Sequence, residues 1–185
     1  MDLVVLILDL GLILVILGFC VYAISMMVSD AHGAPYVPIE QAWIKPILTF
    51  AELKAHEGIA DLGCGDGRVL RTASSMTDGP LHGYELSLWP YWKAKILNRY
   101  YRTPHIKIQR SNIFDVTFTP GVLLYAYLYP KLLDRVAQKI EKECAPGTRL
   151  VSPRFAVNTE RHPRLKKIKE GMVATIPVYL YEVVS

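Results

Sequence analysis

No lysine or arginine precedes Lys45, so all 21 basic residues follow the apolar opening of the chain. A cleavable leader carries positive charge ahead of its apolar core, and this absence argues against one. Cysteine is also scarce. Of the three, Cys20 sits in the apolar opening, Cys64 in a glycine turn and Cys144 near a helix end, which leaves no disulfide framework. The five histidines lack metal-ligand spacing, and none stands where it would activate Cys64, so neither a metal centre nor a thiol nucleophile is expected. No internal repeat appears. The net charge is only +4, and the single basic run lacks interleaved aromatics, so no nucleic acid partner is expected.

What the chain has in excess is apolar sequence, 51% of its 185 residues, concentrated at one end. Residues 3–28 are interrupted only by Asp9, Gly11, Gly18 and small polar residues such as Ser25. About twenty helical residues cover roughly 30 Å of hydrocarbon, and the run is longer than the ~7–15 residues of a leader core. Asp9 would cost about 2.5–3.5 kcal/mol at the midplane, but residues 10–28 still span and leave it near the interface. The expectation is a transmembrane anchor at 1–29, a linker at 30–38 and one domain at 39–185. The positive-inside rule puts that domain on the cytoplasmic side of the plasma membrane, or on a mitochondrial membrane in a eukaryote. Within the linker, Pro35-Tyr36-Val37-Pro38 holds the backbone extended. It is either a stiff spacer or a strap laying Tyr36 across the mouth of the domain.

The domain is organised around Asp61-Leu62-Gly63-Cys64-Gly65-Asp66-Gly67-Arg68. Apolar Ile59, Ala60 and Leu62 precede it, and Val69, Leu70, Ala73 and Met76 follow at helical spacing, which predicts a strand, a glycine turn and a helix. Glycine lets the backbone approach a ligand closely and bend tightly. The pattern is G-x-G-x-G without a Walker lysine, which excludes phosphate cradling of that kind. Glu85 ends an apolar run about twenty residues on, where a carboxylate can accept from both hydroxyls of a ribose.

The remaining chain alternates helices and strands. A stripe at Ile39, Trp43, Ile47 and Phe50 predicts a helix with Trp43 in the core, bent by Pro46. A second stripe at Trp89, Trp92, Ile96 and Tyr100 predicts a helix packed on a sheet through its tryptophans. Residues 106–109 read as a strand, and the continuous apolar run 121–128 as a central parallel strand. Tyr125, Tyr127 and Tyr129 share one face by period two, with Tyr125 assigned to the core. Residues 131–144 form an amphipathic pattern, with Lys139, Glu141 and Lys142 expected outward. The tail reads as a hairpin turning at Glu170-Gly171, with the basic run 161–169 as its solvated edge; contact with anionic headgroups is the alternative.

The glycine turn and Glu85 resemble those of the class I, seven-stranded S-adenosylmethionine-dependent methyltransferases. That resemblance implies a Rossmann-like sheet with helices on both faces and a closing antiparallel hairpin. It implies a nucleoside held by Asp61, Gly63, Cys64, Gly65, Gly67 and Glu85, with Asn112 and Ile113 at the adenine and S-adenosylmethionine as co-substrate. Many members carry aspartate where this chain has Asn112; the amide oxygen accepts as well. More narrowly, Pro35-Tyr36-Val37-Pro38, Gly83-Tyr84-Glu85, Ile140-Glu141-Lys142-Glu143 and Pro146-Gly147-Thr148-Arg149 are similar to protein-lysine methyltransferases of two groups. One is archaeal and soluble; the other is mitochondrial, membrane-anchored and directed at lysines of membrane-complex subunits. The similarity covers roughly residues 35–155. It implies a lysine acceptor oriented by Tyr36, Tyr127 and Tyr129. A small-molecule or lipid methyltransferase, and a non-catalytic S-adenosylmethionine-binding membrane protein, are the competing readings. The Asn-Pro-Pro-Tyr motif of base-amine methylation is absent, Tyr127-Leu128-Tyr129-Pro130 standing in its place.

Overall fold

Apolar strands that alternate with amphipathic helices bury themselves best as a parallel sheet covered on both faces, and this is the arrangement found. The structure, a computed structural model, describes residues 3–31, 37–103 and 105–185. The Tyr36 strap lies outside the described residues.

An apolar helix, α1 (Leu3–Ala31), comes first. Its stretch Leu3–Ile24, 22 residues, is long and apolar enough to cross a membrane, and none of it is buried against the domain. The domain then runs α2 (Gln41–Phe50), β1 (Gly58–Leu62), α3 (Arg68–Ala73), β2 (Leu81–Glu85), α4 (Leu88–Tyr100), β3 (Ile106–Arg110), β4 (Val122–Tyr125), α5 (Pro130–Glu143), β5 (Arg149–Pro153), β6 (Leu165–Val173) and β7 (Ile176–Val183). The seven strands lie in the order β3-β2-β1-β4-β5-β7-β6. The first five are parallel, and β7 inserts antiparallel between β5 and β6. β1 and β4 are buried along their whole length. One face of the sheet packs on α2, α3 and Ala94 of α4; the other packs on α5 through Leu133, Val136 and Ile140.

Four expectations need correction. The hairpin turns at Ala174, where φ is 52°, and not at Glu170-Gly171, which lies within β6. Gly171 serves packing instead: a Cβ there would lie 2.9 Å from the Phe50 ring. The α4 stripe is the second. Pro90, Ala94 and Asn98 face the sheet, whereas Trp92, Ile96 and Tyr100 are 52%, 65% and 77% exposed. Lys139, expected outward, is buried, donating to the Phe114 carbonyl at 3.3 Å and pairing with Glu143 at 2.6 Å. β4 ends at Tyr125, three residues before the apolar run does, because the chain turns there towards α5.

The basic run is absorbed within the hairpin edge. Lys167 pairs with Glu170, Lys169 with Glu52, and Arg164 donates to Glu141. His162 sits between Asp134 at 3.0 Å and Glu141 at 2.9 Å. Arg149 and Lys169 also donate to carbonyls left free at the end of α2, those of Ala51 (2.8 Å) and Phe50 (3.0 Å), which fixes the helix that precedes the glycine turn.

Trp43 is half-buried against the same cluster, as its stripe predicts. Gly83 is a core position with no room for a side chain, since an added Cβ would lie 2.8 Å from each of Cys64 Sγ, Ile108 Cδ1 and Leu70 Cδ1. Gly83→Ala is expected to destabilise the domain by about 1–3 kcal/mol through overpacking, measured as a lowered midpoint in denaturant unfolding of the full chain in detergent.

Candidate functional site

The glycine turn is built from the ends of two strands. Gly63 and Cys64 both donate their N–H to the Tyr84 carbonyl, at 2.9 and 3.0 Å, and Gly67 N–H donates to the Cys64 carbonyl at 2.8 Å. Gly63 at φ 91° and Gly65 at φ 55° hold left-handed backbone, which residues with a Cβ adopt at a cost. Glu85, at the tip of β2, completes the turn. Its Oε2 accepts from Gly65 N–H at 2.9 Å and its Oε1 from Ser87 N–H at 2.7 Å.

A cavity of about 320 Å³ opens at the carboxyl ends of the parallel strands. The strand order decides which residues stand next to which. Ser111, Asn112 and Ile113, after β3, form one end, next to Glu85 and Ser87 after β2. Asp61, Gly63 and Gly65 of the β1 end lie in the middle. Tyr125 at the tip of β4 and Tyr127 and Tyr129 after it, with Arg154 and Phe155 after β5, form the opposite end. Val37, Pro38 and Ile39 reach its rim, directly after the Tyr36 position.

Thus Asp61, Gly63, Gly65, Glu85, Asn112, Ile113, Tyr127 and Tyr129 are brought together. Cys64 and Gly67 stand behind the lining: the Cys64 thiol points at Gly83 in the core, and Gly67 precedes α3. Asn112 Oδ1 accepts from Phe114 N–H at 3.1 Å, bending its own loop. The assignment of Tyr125 to the core holds, but sequence reasoning missed that it also lines the cavity. It is fully buried, yet its register partner is Asp61, so both side chains leave the sheet on one face, into the cavity. The pairing of two centrally placed strands is the signal that reveals it. Arg154, at φ 72°, and Arg135 were missed as well, because neither belongs to a motif.

The electrostatics divide the three acids. Burial alone would raise the Asp66 carboxyl, but hydrogen bonds and charge from Arg68 (2.9 and 2.8 Å) and Lys93 (3.3 Å) hold it at about 2. Among the described residues Asp61 has no such counter-charge. Burial first, then repulsion from Glu85 and Asp66, lift it well above its ordinary 3.8. Glu85 is also raised by burial, with the N–H groups of Ser87 and Gly65 opposing. Among the described residues, the buried polar atoms without a partner include Asp61 Oδ2, Ser111 Oγ and Tyr125 Oη, and all three residues line this cavity. Such groups await polar partners. No cluster of metal ligands occurs among the described residues.

Sheet order, glycine turn and acidic cavity define a class I, seven-stranded methyltransferase. The model of the ANTKMT methyltransferase domain matches residues 61–163, more than half of the chain, and the chain belongs to that family. A protein-lysine N-methyltransferase of Saccharolobus islandicus is 28% identical over 149 residues, 80% of this chain and 92% of that protein. The adenine nucleotide translocase lysine N-methyltransferase of mouse is 28% identical over 127 residues, 68% of this chain but only 55% of the mouse enzyme. An RNA methyltransferase from Salinibacter ruber, solved with S-adenosyl-L-homocysteine, superposes with a TM-score of 0.71 at 20% identity, over 80% of this chain and 94% of that one. S-adenosylmethionine is the co-substrate of this class, and the cavity fits it: hydroxyls and a positive amine would occupy the three orphaned atoms and offset the two uncompensated acids.

A carboxyl raised on folding favours the native state below its ordinary value, and that stabilisation is lost as pH climbs through the raised one. In the ligand-free chain the thermal midpoint is therefore expected to fall from pH 3.8 upward across the raised Asp61 value. Asp61→Asn should flatten that fall, as calorimetric scans at successive pH values would register.

Proposed function

We propose that this chain is a membrane-anchored enzyme that moves a methyl group from S-adenosylmethionine to a protein lysine, with residues 1–29 as anchor, 30–38 as linker and 39–185 as the catalytic domain. The observation that carries the reading is the convergence of orphaned Asp61, Ser111 and Tyr125 on one acidic cavity beside a backbone turn held by Glu85.

The sulfonium supplies an already activated methyl, so the protein's task is alignment and exclusion of water. Glu85, held by Gly65 and Ser87 N–H, presents its carboxylate to the cavity, where it accepts from the ribose hydroxyls. Asn112 and Ile113 border the adenine at the β3 end, while Cys64 and Gly67 shape the turn from behind. Asp61, with Tyr125 beside it, receives the positive amine end. Tyr127 and Tyr129 orient the acceptor at the β4 end. The same role is proposed for Tyr36, which is next in sequence to the rim residue Val37.

A lysine must be neutral to attack, which costs about 4–5 kcal/mol at pH 7 from a free value near 10.4. The acceptor end supports this step, because Arg154 lies there and Tyr127 and Tyr129 carry no charge that would hold the ammonium form. The mouse relative, named as a lysine N-methyltransferase of the adenine nucleotide translocase, supports a protein substrate, which we propose is a membrane-complex subunit. The basic residues, all after α1, support a domain on the cytoplasmic side, or the corresponding side of a mitochondrial membrane.

With labelled S-adenosylmethionine and solubilised membranes, the full chain is expected to label protein lysine. The Tyr127→Phe/Tyr129→Phe double variant should transfer roughly 10–100-fold more slowly, the worth of one or two hydrogen bonds, with S-adenosylmethionine affinity retained. Label appearing in lipid, or no label anywhere despite binding, would point to the competing readings. Full transfer by the double variant would remove the tyrosines from the assignment.

A further inference from the structure

A helix packed on a sheet normally turns its aromatic residues inward, and α4 does the opposite. Its inward residues are Pro90, Ala94 and Asn98, two of them small and one polar. Outward, along one face, stand Trp89, Trp92, Ile96 and Tyr100 at helical spacing, with exposure rising from 49% to 77%. Tyr101 continues the patch at 58%. Exposed apolar surface of this extent on one helix marks an interaction site.

Three features say what covers it. α4 is joined to the apolar helix: the Tyr22 ring meets the Trp89 ring edge-on, centroids 6.3 Å apart, near the end of the stretch able to cross a membrane. The start of α4 thus stands where α1 leaves its apolar stretch. The patch also has the chemistry of a bilayer interface, where tryptophan and tyrosine sit at headgroup level. Finally, α4 carries no acid, while Lys95, Arg99 and Arg102 beside the stripe are exposed, a charge pattern complementary to anionic headgroups. The other basic segment, 161–169, is largely committed to pairs within the domain.

We infer that the Trp92, Ile96 and Tyr100 face of α4 lies in the headgroup layer of an anionic bilayer, holding the domain against the membrane beside α1. The inference rests on the reading of α1 as an anchor. It gives the cavity a fixed address, because Leu86 and Ser87 of its lining immediately precede α4. The cavity then opens close to the membrane surface, within reach of lysines at headgroup depth.

The test uses the full chain in vesicles of phosphatidylcholine and phosphatidylglycerol whose acyl chains carry bromine near the headgroup. The chain contains three tryptophans, so each reports alone when the other two are phenylalanine. With Trp43→Phe and Trp89→Phe, emission from Trp92 should be quenched by the brominated lipid. With Trp89→Phe and Trp92→Phe, emission from half-buried Trp43 should be unaffected. Alkaline carbonate extraction, run in parallel, reports on α1. If the chain resists extraction and Trp92 is not quenched, the α4 inference falls while the anchor stands. If Trp92 is quenched only after a membrane-protein acceptor is added, the face binds protein and the inference falls. If carbonate releases the chain, the anchor reading falls and takes this inference with it. Quenching of Trp43 along with Trp92 would mean that the domain has opened onto the lipid, which overturns it too.

Discussion

The hydrogen bond from Gly65 N–H to Glu85 joins the ends of β1 and β2 across 20 residues of sequence. A backbone turn with positive φ at three glycines has little intrinsic preference for one shape, so something outside it must hold it. The Tyr84 carbonyl anchors its first half and the Glu85 carboxylate its second. The side chain proposed to bind ribose is therefore already structural before any ligand arrives. Its burial raises its affinity for a proton, and the two N–H donors oppose that rise.

Charge is then distributed unequally around that turn. Asp66 is neutralised by Arg68 and Lys93, and Arg68 also reaches the Ile39 carbonyl, so the pair staples the α2 entry to the turn. Asp61, on β1, keeps one oxygen with no partner among the described residues. Leaving a buried carboxylate oxygen unpaired costs stability, and a fold tolerates that cost where a ligand offsets it. One acid is spent on architecture and the other is held in reserve, which is why their proton affinities move in opposite directions.

Much of this was legible in the sequence. Three glycines at alternate positions, an acid before them and Glu85 after the next apolar run specified the strand-turn-helix and its partner strand, because each is a local requirement of backbone geometry. The parallel core was legible from uninterrupted apolar runs. What the sequence hid depends on pairing between distant segments. Tyr125 looked like core because its run is wholly apolar, and only its register with Asp61 shows that it faces the cavity. Helical periodicity revealed a stripe on α4 but not which side of the helix meets the sheet. Large residues suggested the aromatic side, whereas the close fit of Ala94 decided for the other. Gly171 read as a turn because glycine is common there, and its actual use is to admit Phe50.

The connection between α1 and the domain limits how these parts act together. Ten residue steps separate Ala31 from the start of α2 at Gln41. A fully extended chain of that length spans at most about 33–36 Å, so on the proposed reading the cavity cannot leave the neighbourhood of the bilayer. Tethering of this kind raises the local concentration of any membrane-bound acceptor without a single added contact. It does nothing, however, to choose an orientation, and a domain free to tumble on its tether would present its cavity to the membrane only part of the time. Orientation needs a second point of attachment away from the tether, and the ring of Tyr22 against Trp89 sets α4 where that second point would be.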